Sequence, residues 1–223
     1  MIRKILFMSA FLYAATANAQ SLKEWNDSLA VINRQLSIYP DSLELQLNKA
    51  AVSLQLLEWE DAISTCNAIL EKNKNSMPAL YYRAYANNNL RRYEQAKNDY
   101  KSLLSMAPRN MEARLGLAYT YTKLNRYAEA LDEAGTLIEM YPDSSMTYAA
   151  RAEIEKEMKQ YEPALYDMDE ALKRDPGNKD IIVSKVELLL IMGRKQEAKT
   201  TLDDAVRKGI PRGTLLEWYA KCK

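Results

Sequence analysis

Residues 111–144 read MEARLGLAYTYTKLNRYAEALDEAGTLIEMYPDS. Over 112–123, small and apolar side chains recur three and four apart, the spacing of one helix face. Asn125-Arg126 interrupts that pattern. A second amphipathic run covers 127–139, and Tyr141-Pro142-Asp143 ends it, because proline does not continue a helix. The segment therefore predicts two helices joined by a short turn. Its second helix opens with an aromatic three residues before an alanine, Tyr127 and Ala130.

That step recurs on both sides. Trp59 precedes Ala62, Tyr93 precedes Ala96 and Tyr161 precedes Ala164, with successive alanines 34 residues apart. One further period gives Ala198, with Lys195 in the aromatic's place. Twelve residues before these alanines stand Ala50, Ala84, Ala118, Ala152 and Val186. Six before stand Leu56, Leu90, Leu124, Met158 and Met192; eight after stand Leu70, Leu104, Ile138, Leu172 and Val206. Pro108, Pro142 and Pro176 close three periods at one phase. A fixed period of this length marks an array of stacked repeats. Five repeats follow without insertion: 43–76, 77–110, 111–144, 145–178 and 179–212. Small residues at a helix crossing let two backbones approach closely, and the aromatic fills the space beside them. Pro78 and Pro163 fall in the first turn of predicted helices, where a missing N–H costs little.

A 34-residue helix–turn–helix with an early small residue, an aromatic-x-x-Ala and a closing proline resembles the tetratricopeptide repeat. Tyr93-Glu-Gln-Ala96 and Tyr127-Ala-Glu-Ala130 lie close to that family's pattern. Glu155 departs from it, standing where the family prefers tyrosine, and the first and fifth repeats lack the closing proline. The resemblance implies an all-α fold, a right-handed superhelical solenoid of stacked helix-turn-helix pairs. The ends carry half-repeats in the same register. Residues 20–42 fit only a second helix, with Trp25, Ser28 and Pro40 at the aromatic, alanine and closing phases. Residues 213–223 fit only a first helix, expected to cap the fifth repeat with Leu215, Leu216, Trp218 and Tyr219.

Residues 1–19 have the form of a secretory signal peptide. Arg3 and Lys4 precede an uncharged, mostly apolar run over 5–15, and Ala17-Asn18-Ala19 supplies a small-x-small cleavage pattern before Gln20. The run is shorter than the roughly 20 apolar residues of a membrane span, and no cysteine follows it to carry a lipid. The expectation is a cleaved chain exported to the periplasm, with no stable membrane insertion. That chain would hold 29 basic and 30 acidic residues. Near-neutrality gives no long-range attraction to nucleic acid or anionic lipid. Arg91-Arg92 is a single tight basic pair in a turn, not a basic stripe interleaved with aromatics, so no nucleic-acid partner is expected.

The 223 residues include no histidine, which removes His-based triads, His general bases and imidazole ligands. Cys66 and Cys222 are predicted far apart in the stack, beyond the about 7 Å between Cα atoms that a disulfide tolerates. Two free thiols are expected, Cys66 as a buried small hydrophobe. Six scattered glycines form no phosphate-cradling loop. The chain is therefore expected to be no enzyme and to need no cofactor or metal.

The tetratricopeptide resemblance implies that first helices line a concave groove. At its phases the sequence offers Tyr81, Tyr82, Tyr85, Asn88 and Asn89, then Tyr119, Thr122 and Lys123, then Glu153 and Glu187. Tyrosine supplies rigid apolar area with a hydroxyl, and asparagine hydrogen-bonds peptide groups. Tyr85 and Tyr119 are expected to be the exposed pair, with Tyr81 and Tyr82 able to pack between repeats instead. The family's Lys/Asn/Arg clamp for a C-terminal carboxylate is missing, since Leu47, Ala51, Tyr82, Glu112 and Gly116 stand at the corresponding places. The expected function is a protein-interaction scaffold holding an extended peptide or partner helix. Binding of a glycan or cell-envelope polymer, or bracing of an envelope complex, are the alternatives.

Overall fold

Every first helix begins at a residue suited to capping it. Ser42, Ser76, Asn110, Ser144 and Asn178 stand 34 residues apart, each immediately ahead of a helix. The side chains of Ser42, Asn110 and Asn178 accept from the backbone N–H groups of Leu45, Ala113 and Ile181. These bonds satisfy donors that a helix start leaves unpaired.

The computed structural model describes residues 19–222, and the predicted signal peptide up to Asn18 lies outside them. The described residues are helical with short connections and divide into two compact units between Leu124 and Asn125. The first unit holds α1 (Ala19–Ile38), α2 (Leu43–Gln55), α3 (Trp59–Lys72), α4 (Met77–Asn89), α5 (Tyr93–Met106) and α6 (Met111–Lys123). Each packs on the next; α2 also packs on α4, and α4 on α6. The second unit holds α7 (Tyr127–Met140), α8 (Ser145–Glu157), α9 (Tyr161–Arg174), α10 (Lys179–Ile191) and α11 (Lys195–Arg207). A 3-10 turn (Arg212–Leu215) and α12 (Leu216–Lys221) end it. The all-α class of stacked helix pairs expected from the period is what the structure contains.

The core follows the alanine phases. Ala62, Ala96, Ala130, Ala164 and Ala198 have no exposed surface, and Ala50, Ala84, Ala118, Ala152 and Val186 have at most 1%. Larger side chains fill the layers between them, notably Ile69, Tyr100, Leu103 and Leu117 in the first unit and Leu137, Met168, Leu188 and Leu202 in the second. Cys66 is buried, which pushes its thiol up to about 12, and both cysteines are free.

One polar phase ties neighbouring helices. Arg83 on α4 donates to Asp99 on α5 and to Asn67 on α3, at 2.7–2.8 Å. Arg151 on α8 grips Asp167 on α9 in the same way. At later repeats of this phase Lys185 donates to Asp169, and the Tyr219 hydroxyl donates to Asp203.

The turn inside each repeat requires a left-handed residue. Leu57, Arg91, Asn125, Lys159 and Gly193 have φ of 61°, 59°, 57°, 61° and 75°, at one phase of five successive repeats. At four of them the N–H groups of Leu57, Arg91, Lys159 and Gly193 donate to Leu54, Asn88, Lys156 and Leu190. The next N–H groups, of Glu58, Arg92, Gln160 and Arg194, donate at 2.8 Å to Ser53, Asn87, Glu155 and Leu189. This double bond is the Schellman termination of a helix.

The C-terminal segment differs from the first helix expected over 213–223. Gly209, at φ 100°, closes α11 with a turn of the same type, and Pro211 then blocks helix continuation. Leu215, Trp218 and Tyr219 pack on the second unit's core, but Leu216 is 60% exposed. Consecutive helical residues point about 100° apart, so burial of Leu215 turns Leu216 outward.

A side chain in the left-handed region costs about 1 kcal/mol relative to glycine. Gly193→Ala is therefore expected to destabilise the chain by about 1 kcal/mol, and Leu57→Gly to shift stability the opposite way. Urea unfolding of both variants checks the pair of signs.

Candidate functional site

The residues singled out from the sequence fall in both units, and each group is described by itself. In the first unit, α4 carries Tyr82, Tyr85, Asn88 and Asn89, and α6 carries Tyr119, Thr122 and Lys123. Thr120 Oγ1 lies 3.0 Å from Asn88 Oδ1, which sets α4 beside α6 at matching turns. Tyr85 and Tyr119 share a repeat phase, so they sit at corresponding levels of these neighbouring helices.

Their surroundings separate surface from packing. Asn89 is exposed, its amide donating to the Tyr85 carbonyl at 2.9 Å. Tyr119 is half-buried, with the Lys123 ammonium 5.5 Å from its ring centre, a cation–π contact. Tyr85 is half-buried in an aromatic chain: it stacks on Tyr81 at 6.5 Å and meets Trp59 edge-on at 6.0 Å. Tyr81 in turn meets Tyr82 and Tyr100 edge-on. Burial raises the hydroxyl pKa of Tyr81, Tyr82 and Tyr100 above the ordinary range. Tyr82 packs on the Leu54, Ala62 and Ala86 cluster, so it serves the core as well as the face.

Asn88 and Thr122 are not open to solvent, in contrast to the groove expectation. Asn88 is 7% exposed and is hydrogen-bonded to Thr120 and to the Tyr100 hydroxyl. Thr122 is also 7% exposed, and its hydroxyl donates to the Ala118 carbonyl of its own helix. Asn88 faces the next first helix, α6, through Thr120. Leu54, buried at the same phase one repeat before Asn88, is the signal in the sequence that this position points inward.

Tyr100 depends on a glycine opposite it. A Cβ on Gly116 would stand 2.4 Å from the Tyr100 ring, so only glycine lets this fully buried aromatic lie against α6.

In the second unit, Glu153 on α8 and Glu187 on α10 do not form a purely acidic row. Lys156, which the sequence reading left out, pairs with Glu153 and stands 3.6 Å from Glu187. The other Glu153 oxygen, Oε1, is buried without a hydrogen-bond partner. Among the described residues no group of three or more His, Cys, Asp or Glu side chains is placed to hold a metal ion. No described helix is long and apolar enough to cross a membrane. A cleft of about 380 Å³ in the first unit is lined by Asn67, Leu70, Glu71, Lys74 and Arg83, whose guanidinium is already committed to Asp99 and Asn67.

Residues 90–154 match the tetratricopeptide repeat family model. No curated protein matches the chain. Among solved structures it is similar to a tetratricopeptide repeat protein from Parabacteroides merdae, with 21% identity and TM-score 0.75, covering 94% of this chain and 86% of that one. It is similar to a thermophilic tetratricopeptide repeat protein of Thermus thermophilus, with 20% identity and TM-score 0.65, covering 77% and 94%. It is also similar to YrrB, described as a tetratricopeptide repeat protein with an unusual peptide-binding site, with 17% identity and TM-score 0.55, covering 79% and 91%. At these identities the likeness establishes a shared helical-repeat fold.

Gly116→Ala drives a methyl group into a buried ring, and overpacking of this kind costs about 1–3 kcal/mol. Asn88→Ala leaves the buried Tyr100 hydroxyl short of a partner, while Thr120 keeps the Gly116 carbonyl, at a cost of about 1–3 kcal/mol. Both variants are expected to melt at lower temperature than wild type by differential scanning calorimetry. An unchanged melt for Asn88→Ala would return that residue to the binding face.

Proposed function

We propose that this chain is an exported protein-interaction scaffold that holds an extended peptide or a partner helix against the outer sides of its first helices. The carrying observation is the half-exposed group on α4 and α6: Tyr82, Tyr85 and Tyr119, flanked by exposed Asn89 and by Lys123. Aromatic rings held by their neighbours lose little freedom on binding, and the amide and ammonium supply polar contacts to a backbone or an acid. On the second unit, Glu153 and Glu187 form a separate, partly neutralised patch with Lys156. Lys156 pairs with Glu153 and Glu187 and offsets part of their charge, so the gain from a basic ligand there is small. The peptide-binding site attributed to YrrB supports the same use of this fold. Near-neutral charge and the absence of a basic stripe favour protein over nucleic acid as partner. Periplasmic location is proposed on the form of residues 1–19.

Tyr85 is built into the aromatic chain, so the test leaves it intact. A photo-crosslinking residue at position 119 is expected to capture a partner polypeptide in the native host, and one at Tyr166, exposed on α9, is not. For the captured partner, Tyr119→Ala with Asn89→Ala is expected to weaken affinity at least tenfold, consistent with about 2 kcal/mol for a central contact. The melting temperature should change little. Equal capture from both positions, or unchanged affinity, sinks the reading.

Export is tested separately. Mass spectrometry of the chain recovered from its host is expected to give an N-terminus at Gln20. An intact Met1 would remove the periplasmic assignment and leave the binding proposal to its own test.

A further inference from the structure

Glu155 stands at a phase that the other four repeats bury, with Ser53, Asn87, Tyr121 and Leu189. One turn before it on α8 is Arg151. Arg151 donates through Nε to Asp167 Oδ2 at 2.5 Å and through its second terminal nitrogen to Oδ1 at 2.8 Å. Asp167 is 1% exposed, so this fork is a closed pair inside the α8–α9 packing. Glu155 is left with a buried oxygen, Oε2, that has no hydrogen-bond partner. Two carboxyl groups thus face one guanidinium.

The first unit shows the same arrangement with the imbalance removed. Two repeats earlier, Arg83 grips Asp99, and the residue at the phase of Glu155 is the neutral amide Asn87. Asn67 takes the remaining edge of Arg83, whereas the second unit has Gly135 at that phase. Nor do neighbouring helices restore the balance. α7, packed on α8, carries Glu129, Asp132, Glu133 and Glu139 and no basic residue. On α9 the bases Lys173 and Arg174 lie in the last turn and are held by Glu170.

We propose that Glu155 is a proton-operated switch in the second unit. Neutral, it packs as a polar side chain within the α8–α9 pair; ionised, it sets a second negative charge beside Asp167 and loosens that pair. Burial first, and Asp167 second, push its carboxyl up to about 7 against the pull of Arg151. A folded-state value above the ordinary 4.5 means stability is full below that pH and is lost as pH rises toward about 7. The chain has no histidine, the side chain that normally titrates between pH 5 and 8. Glu155 therefore supplies a response in a range where the rest of the sequence is nearly silent. This inference does not rest on the peptide-binding reading.

The test is a carbon-detected NMR titration of glutamate carboxyl groups in the whole chain, with Glu155 assigned by its loss in Glu155→Gln. One carboxyl is expected to titrate near neutrality and to be missing from the variant. Melting temperature is expected to fall between pH 5 and pH 8 in wild type and to stay level in Glu155→Gln. A Glu155 midpoint in the ordinary carboxylate range, or equal slopes for the two proteins, overturns the proposal. If Glu155→Gln does not fold, through-bond assignment in the wild-type chain gives the midpoint and decides alone.

Discussion

The stack depends on alanines with no exposed surface at one phase of every repeat, where a small side chain permits close helix packing. Ala62, Ala96, Ala130, Ala164 and Ala198 hold that phase, each twelve residues after a second buried position, Ala50, Ala84, Ala118, Ala152 or Val186. The close approach sets where the larger side chains must go: into the layers on either side, as Ile69, Tyr100, Met168 and Leu202 do. It also fixes the turn. To bring the second helix back over the first within three residues, the backbone enters the left-handed region, and it does so even where Leu57, Arg91 or Lys159 must be held there. The local strain is outweighed by the packing that it permits.

Period, helix limits and core alanines could be read from the sequence because each is a local or repeated pattern. A capping Ser or Asn, an aromatic-x-x-Ala and a closing proline act within a few residues, and repetition removes the ambiguity of any one instance. The binding face was harder. The resemblance places Asn88 and Thr122 on the groove face, yet each is 7% exposed on a helix that also carries surface residues. The inward direction of Asn88 comes from its contact with the next first helix, and apolar Leu54 and Leu190 at the same phase are the signal for it in the sequence. Lys156 is legible only in three dimensions, because its ion pairs form one turn away on α8 and across to Glu187 on α10. Leu216 was misplaced because the 3-10 entry into α12 has no counterpart in the other repeats.

The two units solve one electrostatic problem differently. Both bury an arginine–aspartate fork between a first and a second helix, and breaking such a pair typically costs about 3–5 kcal/mol. In the first unit the amides of Asn67 and Asn87 stand around the fork. In the second, a carboxylic acid stands where the amide would be and a glycine where the other partner would be. The same scaffold position thus holds a neutral amide in one unit and a titratable acid in the other. The departure from the family's tyrosine at Glu155 gains a physical meaning on this account.

The fit of Tyr100 against Gly116 has a consequence for how such an array can change by recombination. The same pair of phases holds Cys66 with Tyr82, Ala134 with Ala150, Met168 with Ser184, and Leu202 with Trp218. Bulk on one helix is met by its lack on the other in the pairs Tyr100–Gly116 and Met168–Ser184, and the balance is reversed in Cys66–Tyr82. The 34-residue modules are equal in length but keyed to their neighbours. A duplication or exchange that placed Tyr82 after Tyr100 would set two rings in one space. Where such a key exists, the order of neighbouring modules is constrained by volume, and outward-facing positions carry no such constraint.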